Sequence, residues 1–153
     1  MSAAGPIDPH AFSIVTPWPD PVLTPNQRLR LDRHAGMEAS REWRDLGYGF
    51  AYNFRALFSD LVRGIPMRLL RIPLGIDFHP PDRRKRDLDG MLGACKPILD
   101  GMAQAFGIDD QAFNPITIRR LEMVRGGQVV FRFLGSTAGT PGAGSGGTPC
   151  PSV

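Results

Sequence analysis

Between Gly90 and Phe106, the apolar residues Met91, Leu92, Cys95, Ile98, Leu99, Met102 and Phe106 recur every three or four positions. Residues so spaced share one stripe of a helix, and Lys96 and Asp100 fall on the opposite face. A stripe of that width has to be buried against other elements of the chain. Ala11–Thr16, Met67–His79, Ile116–Val124 and Gln128–Leu134 read as strands from their β-branched and apolar content. A second stripe, Trp43, Leu46, Phe50, Phe54, Leu57 and Leu61, predicts one long helix from Met37 to Arg63. Gly47 and Gly49 weaken its middle by roughly 1 kcal/mol each relative to Ala, and Gly64 and Pro66 end it. Its aromatic residues read as core rather than as a surface for stacking bases.

Proline and glycine punctuate this pattern. Pro17-Trp18-Pro19-Asp20-Pro21 excludes helix and central strand. The loop runs on past Asn26-Gln27-Arg28, and a long ordered loop in a small domain is commonly functional. Pro73 and Gly75 predict an edge position or a bulge in the second strand. Pro97 costs one hydrogen bond and clashes with the Gly93 carbonyl. The expectation is therefore a separate or kinked segment over Gly90–Cys95, with the regular helix restarting near Pro97. Asn114-Pro115 reads as a turn, and Gly126-Gly127 as the primed turn of a hairpin joining the last two strands. The order strand, helix, strand, helix, strand, strand predicts a single α+β domain over residues 1–134. Its mixed sheet has about four strands flanked by two main helices. Residues 135–153 carry no charge and little to bury, and read as a disordered tail.

The formal net charge is +3, too small to argue for a nucleic-acid partner without local crowding of Arg and Lys. No run of about 18 apolar residues is present for a membrane span. The first residues lack the basic and apolar regions of a signal peptide. Cys95 lies in the apolar helix and Cys150 in the tail, so no disulfide is expected and a reducing cytoplasm is the default. His10, His34 and His79 are scattered without zinc-type spacing.

The chemistry gathers between Pro81 and Asp110. Arg83-Arg84-Lys85-Arg86 leads directly into Asp87-Leu88-Asp89. Lys96 and Asp100 follow on the polar helix face, and Asp109-Asp110 closes the stretch. Cations that hold a phosphate backbone thus stand beside carboxylates that hold a hard metal ion. Phosphodiester hydrolysis needs a positioned water and stabilised charge on both attacking and leaving oxygens, which Mg²⁺ fixed by carboxylates supplies. In an extended segment Asp87 and Asp89 point the same way. Asp109 or Asp110 would add a further ligand, and Lys96 would stabilise the phosphorane or orient the water. Each feature also has a structural reading: Asp89 as a helix cap, Asp87 as complement to the helix dipole, the basic run as a solvated loop, Asp109-Asp110 as a turn, and Lys96 with Asp100 as a surface pair.

Pro81-Asp82-Arg83-Arg84-Lys85-Arg86-Asp87-Leu88-Asp89 resembles the signature of the RusA family of Holliday-junction resolvases. There a basic run leads into D-L-D, then a helix with a lysine and an aspartate, then a D-D pair. Thr16-Pro17-Trp18-Pro19 with Asn26-Gln27-Arg28 is similar to that family's first strand and loop, and Gly126-Gly127 with the following strand to its C-terminal hairpin. The resemblance spans roughly Ile14 to Phe133. It implies a homodimeric endonuclease, dependent on Mg²⁺ or substitute Mn²⁺, that cuts four-way DNA junctions symmetrically. It further implies a cytoplasmic protein of phage or prophage origin. Asp87, Asp89 and Asp110 match the metal-binding catalytic aspartates. Lys96 matches the catalytic lysine when extra residues are allowed after Asp89, whereas a gap-free reading puts Gly93 there. Gly90 stands where the family commonly has Asn. Arg28, Arg83, Arg84, Lys85 and Arg86 are the expected DNA-binding residues. The alternative is a branched-DNA-binding protein of the same fold with impaired cutting.

Overall fold

A computed structural model describes residues 12–24 and 33–134 as one α+β domain. The chain runs through β1 (Phe12–Pro17), α1 (Arg33–Tyr52), α2 (Arg55–Leu61), β2 (Ile72–His79), α3 (Leu88–Phe106), β3 (Phe113–Arg120) and β4 (Gln128–Phe133). Short 3₁₀ turns occupy Pro21–Leu23, Met67–Leu69 and Asp110–Ala112. The strands form a mixed sheet in the order β1-β4-β2-β3. β4 is antiparallel to both of its neighbours, while β2 and β3 are parallel and joined by the α3 crossover. The alternation in β2 decides which face is covered. Ile72, Leu74, Ile76 and Phe78 pack with Phe131 and Phe133 against the stripe of α3. Arg28 and residues 135–153, with the tail expected there, lie outside the described residues.

Several local expectations are corrected, and each has a physical reason. The long helix predicted over Met37–Arg63 is two helices with a turn at Asn53 and Phe54. The break brings Phe54 onto Phe12, ring centroids 5.5 Å apart, and Phe58 onto Phe106 at 4.1 Å. Leu57, expected in the stripe, is 47% exposed. Nor is Gly47 merely a weak point. A Cβ there would run into the Ile98 carbonyl, and one at Gly101 into the Arg44 carbonyl. The two glycines let the backbones of α1 and α3 approach each other closely.

The second strand begins at Ile72 rather than Met67 and is central, not an edge; the bulge alternative is realised, as a register shift between Ile72 and Leu74. α3 is continuous from Leu88 to Phe106 with Pro97 inside it, so the predicted restart near Pro97 does not occur. Proline costs about 3 kcal/mol in a helix interior. Burial of Met91, Cys95, Ile98, Leu99 and Met102 outweighs that, since a large apolar side chain contributes about 1.5–3 kcal/mol each. A break before Pro97 would swing half of that stripe off the sheet.

Asn114-Pro115 lies within edge strand β3, where a missing N–H is tolerated, rather than in a turn. Gly126 and Gly127 do form a tight turn with left-handed φ values of 81° and 73°. It does not close a hairpin, because β2 lies between β3 and β4. Instead the chain crosses the end of β2, with Leu121 N–H donating to the Phe78 carbonyl and Val124 N–H to the Pro80 carbonyl.

Candidate functional site

The parallel pair β2–β3 ends at His79 and Arg120, and the loop from Pro80 to Asp87 rises from that end into α3. In sheets with parallel strands, ligands sit beyond the carboxyl ends. The loop is shaped by its own charges. Asp82 accepts a hydrogen bond from the Arg84 backbone at 2.9 Å, and its carboxylate pairs with Arg86 at 2.8 Å. The Arg86 hydrogen bond, then that of the Arg84 backbone, keeps the Asp82 carboxyl below its ordinary range. Arg86 also stands 5.3 Å over the Trp18 ring, and its carbonyl accepts from Arg120. Of the basic run, then, Arg86 is half-buried and pins the loop, while Arg83, Arg84 and Lys85 are exposed.

Asp87 is the N-cap residue of α3, yet its side chain caps nothing, and Asp89 lies in the first helical turn. The cap position expected at Asp89 thus falls to Asp87 instead. The extended D-x-D geometry is likewise replaced by a cap followed by a helix. The two carboxylates nevertheless line one cavity of about 910 Å³, together with Trp18, Arg84, Lys85 and Arg120. A second cavity of about 340 Å³ adjoins it and is lined by Asp89, Lys96 and Asp110 over Leu92, Phe113 and Ile116. Asp89 belongs to both.

Lys96 is the hub of the smaller cavity. Its ammonium lies 3.2 Å from Asp100 Oδ1 and also donates to Asp110 Oδ2. The Asp110 hydrogen bond, reinforced by Asp100, raises the lysine above its ordinary pKa. Lys96, and secondarily Asp109, hold the Asp110 carboxyl below its own. Asp109 caps the following 3₁₀ turn by accepting from Gln111 N–H at 2.9 Å. The turn reading of this pair thus holds for Asp109, whereas Asp110 faces the cavity. Cys95, one residue from Lys96, is buried and its thiol is pushed up to about 12, which makes it inert as a nucleophile.

Among the described residues, no three His, Cys, Asp or Glu side chains converge as a group able to hold a metal ion. The helix explains the spread. Lys96 lies seven residues beyond Asp89, about 10.5 Å along the axis, and Asp110 is held at Lys96. The donor chemistry still suits magnesium. This ion takes oxygen ligands, keeps several waters, and is usually bound by one or two carboxylates plus substrate phosphate. Asp87 and Asp89 offer that pair, with Asp110 across the shared wall.

No family model matches the chain. Over 125 residues it is 38% identical to an uncharacterized protein of Xylella fastidiosa (strain Temecula1 / ATCC 700964), covering 82% of this chain and 77% of that protein. The chain belongs to that protein's family. The described helices include none long and apolar enough to cross a membrane.

Two residues of the site were not singled out from the sequence. Arg120 reaches the larger cavity because β3 alternates, sending Arg119 to the opposite face of the sheet to meet Asp77. Adjacent arginines at the end of a strand were the available signal. Trp18 belongs to a proline-rich loop, and its packing against Phe78 and beneath Arg86 brings its ring to the cavity wall.

Proposed function

We propose that this chain is a Mg²⁺-dependent, structure-selective endodeoxyribonuclease of the RusA type that resolves four-way DNA junctions as a homodimer. The observation that carries the reading is the shared cavity in which Asp87 and Asp89 stand beside Arg84, Lys85 and Arg120. Lys96 and Asp110 lie across Asp89 in the adjoining one. The cations would hold a phosphodiester backbone, while Asp87, Asp89 and Asp110 would be the oxygen donors for the ion. When bound, magnesium supplies a polarised phosphoryl group and an activated water. Lys96, charged and aimed from the helix flank, stabilises negative charge gathering on the phosphorus oxygens. Asp100 keeps that ammonium on the cavity side.

The test is the purified protein with synthetic four-way junction, flap and linear duplex, with and without Mg²⁺. Cutting of the junction in paired, symmetric strands, only with the metal, is expected. Asp87→Asn should abolish cutting while junction affinity stays equal or rises, because the lost carboxylate binds metal yet repels phosphate. Equal loss of binding and cutting would remove Asp87 from that role.

A second reading is a branched-DNA-binding protein with impaired cutting. It is favoured by Asp110, which Lys96 already engages, and by the absence of a converged three-ligand group among the described residues. Tight junction binding without cutting in either Mg²⁺ or Mn²⁺ would select it.

A further inference from the structure

The larger cavity is unlike a channel that merely tracks a phosphate backbone. Its cations, Arg84, Lys85 and Arg120, are accompanied by an aromatic wall, Trp18, and an apolar floor that includes Met91 and Ala94. The Arg86 guanidinium over the indole adds a flat cationic surface to the same wall. At about 910 Å³ it lies in the range, about 300–1,000 Å³, of sites that enclose a small ligand. Single-stranded nucleic acid is held by this combination: bases stack on aromatic rings or guanidinium planes while cations take the phosphates. A base inside an intact duplex has both π-faces covered by its neighbours and cannot enter. The carboxylates of Asp87 and Asp89 open onto the same space.

We infer that this cavity seats one unpaired nucleotide, its base against the Trp18–Arg86 wall and its phosphate toward Arg120 and Lys85. The inference rests on the nuclease reading only for what happens next. The nucleotide seated there flanks the scissile phosphate, so strands are cut where a base is already unstacked. Flaps carry unpaired bases, and the pairs at the centre of an open junction have lost a stacking neighbour and release a base at lower cost, whereas a linear duplex offers neither.

Trp43→Phe leaves Trp18 as the sole tryptophan, because the chain has two. Trp43 packs between the core clusters and lines neither cavity. In EDTA, tetrathymidylate is titrated into this variant and the Trp18 emission followed. Saturable quenching is expected. A fully abasic tetranucleotide should bind on the order of tenfold or more weakly, since stacking is what it lacks. Arg120→Gln in the same background should weaken binding of both oligonucleotides alike. A blunt duplex, which can meet the basic run but cannot fill the seat, should compete far more weakly than the tetranucleotide. Equal affinity for the abasic strand, or equal competition by duplex, would overturn the nucleotide seat. Cleavage with Mg²⁺ separates the two claims. Junction cutting with a silent Trp18 removes the seat and keeps the nuclease. A quenched Trp18 with no cutting in Mg²⁺ or Mn²⁺ keeps the seat and removes the nuclease.

Discussion

Asp77 is the one carboxylate buried in the described core, at 4% exposure in the middle of β2. Arg119 donates to it twice at 2.8 Å, and Arg132 through Nε at 2.9 Å. Burial works against its ionisation, but these hydrogen bonds outweigh it and hold the carboxyl below its ordinary value of 3.8. A depressed folded-state pKa means that the stabilisation is complete above that ordinary value. It is lost as pH falls through the lower, folded one. Asp77→Asn should therefore cost about 1–3 kcal/mol at pH 7 by urea unfolding, because two arginines lose their charged acceptor. The gap between wild type and variant should narrow as pH drops below about 4. A constant gap across that range would show that the charge of Asp77 contributes nothing. Its neighbours illustrate what one residue type reveals in a sequence. Asp87, Asp89, Lys96 and Asp110 were legible because their types and order carry chemistry. The Asp77 network was not, because it joins residues 42 and 55 positions apart whose pairing depends on strand register. Arg120 was missed for the same reason.

The helices and strands were legible wherever a periodic apolar pattern ran unbroken, as in α3 and β4. They failed where long-range packing set the outcome. Pro97 is carried inside α3 by the surface buried around it, and Gly126-Gly127 forms its turn without a hairpin because β2 has taken the place beside β4. The α1–α3 crossing gives the sharpest case, since helix propensity and packing there predict opposite signs. Gly101→Ala should gain up to about 1 kcal/mol of propensity. Its Cβ, however, meets the Arg44 carbonyl, and overpacking costs about 1–3 kcal/mol when backbone must shift. A fall in Tm of several degrees is expected, at about 2–4 °C per kcal/mol for a chain of this size. Gly49→Ala faces open space and should hold or raise Tm. A raised Tm for Gly101→Ala would mean that the two helices are not in close contact. The basic loop divides in a similar way. Arg86 pins it through Asp82 and Trp18, which leaves Arg83, Arg84 and Lys85 to meet the DNA backbone. Changing those three to Gln should weaken binding to every DNA shape. Every phosphate no longer neutralised should flatten the log–log salt dependence by about 0.9. An unchanged slope would place the run in solvent.

For the whole molecule, the architecture puts one candidate site at one end of one sheet, beyond the carboxyl ends of β2 and β3. A four-way junction, in contrast, presents two equivalent strands for cutting. A single site can nick such a junction but cannot resolve it symmetrically in one encounter. Two-fold pairing of identical chains supplies the second site in matching geometry. The proposed function therefore demands a dimer, and mixing distinguishes a dimer that matters from one that does not. Wild-type protein refolded with excess Asp87→Asn should form dimers with one competent site. Those dimers should release a singly nicked junction, and the yield of two-strand resolution should fall more steeply than the fraction of wild-type chains. Sedimentation at assay concentration should show the dimer. Resolution that declines only in proportion to the wild-type fraction, by a protein sedimenting as a monomer, would mean that each chain cuts independently and that symmetry plays no part.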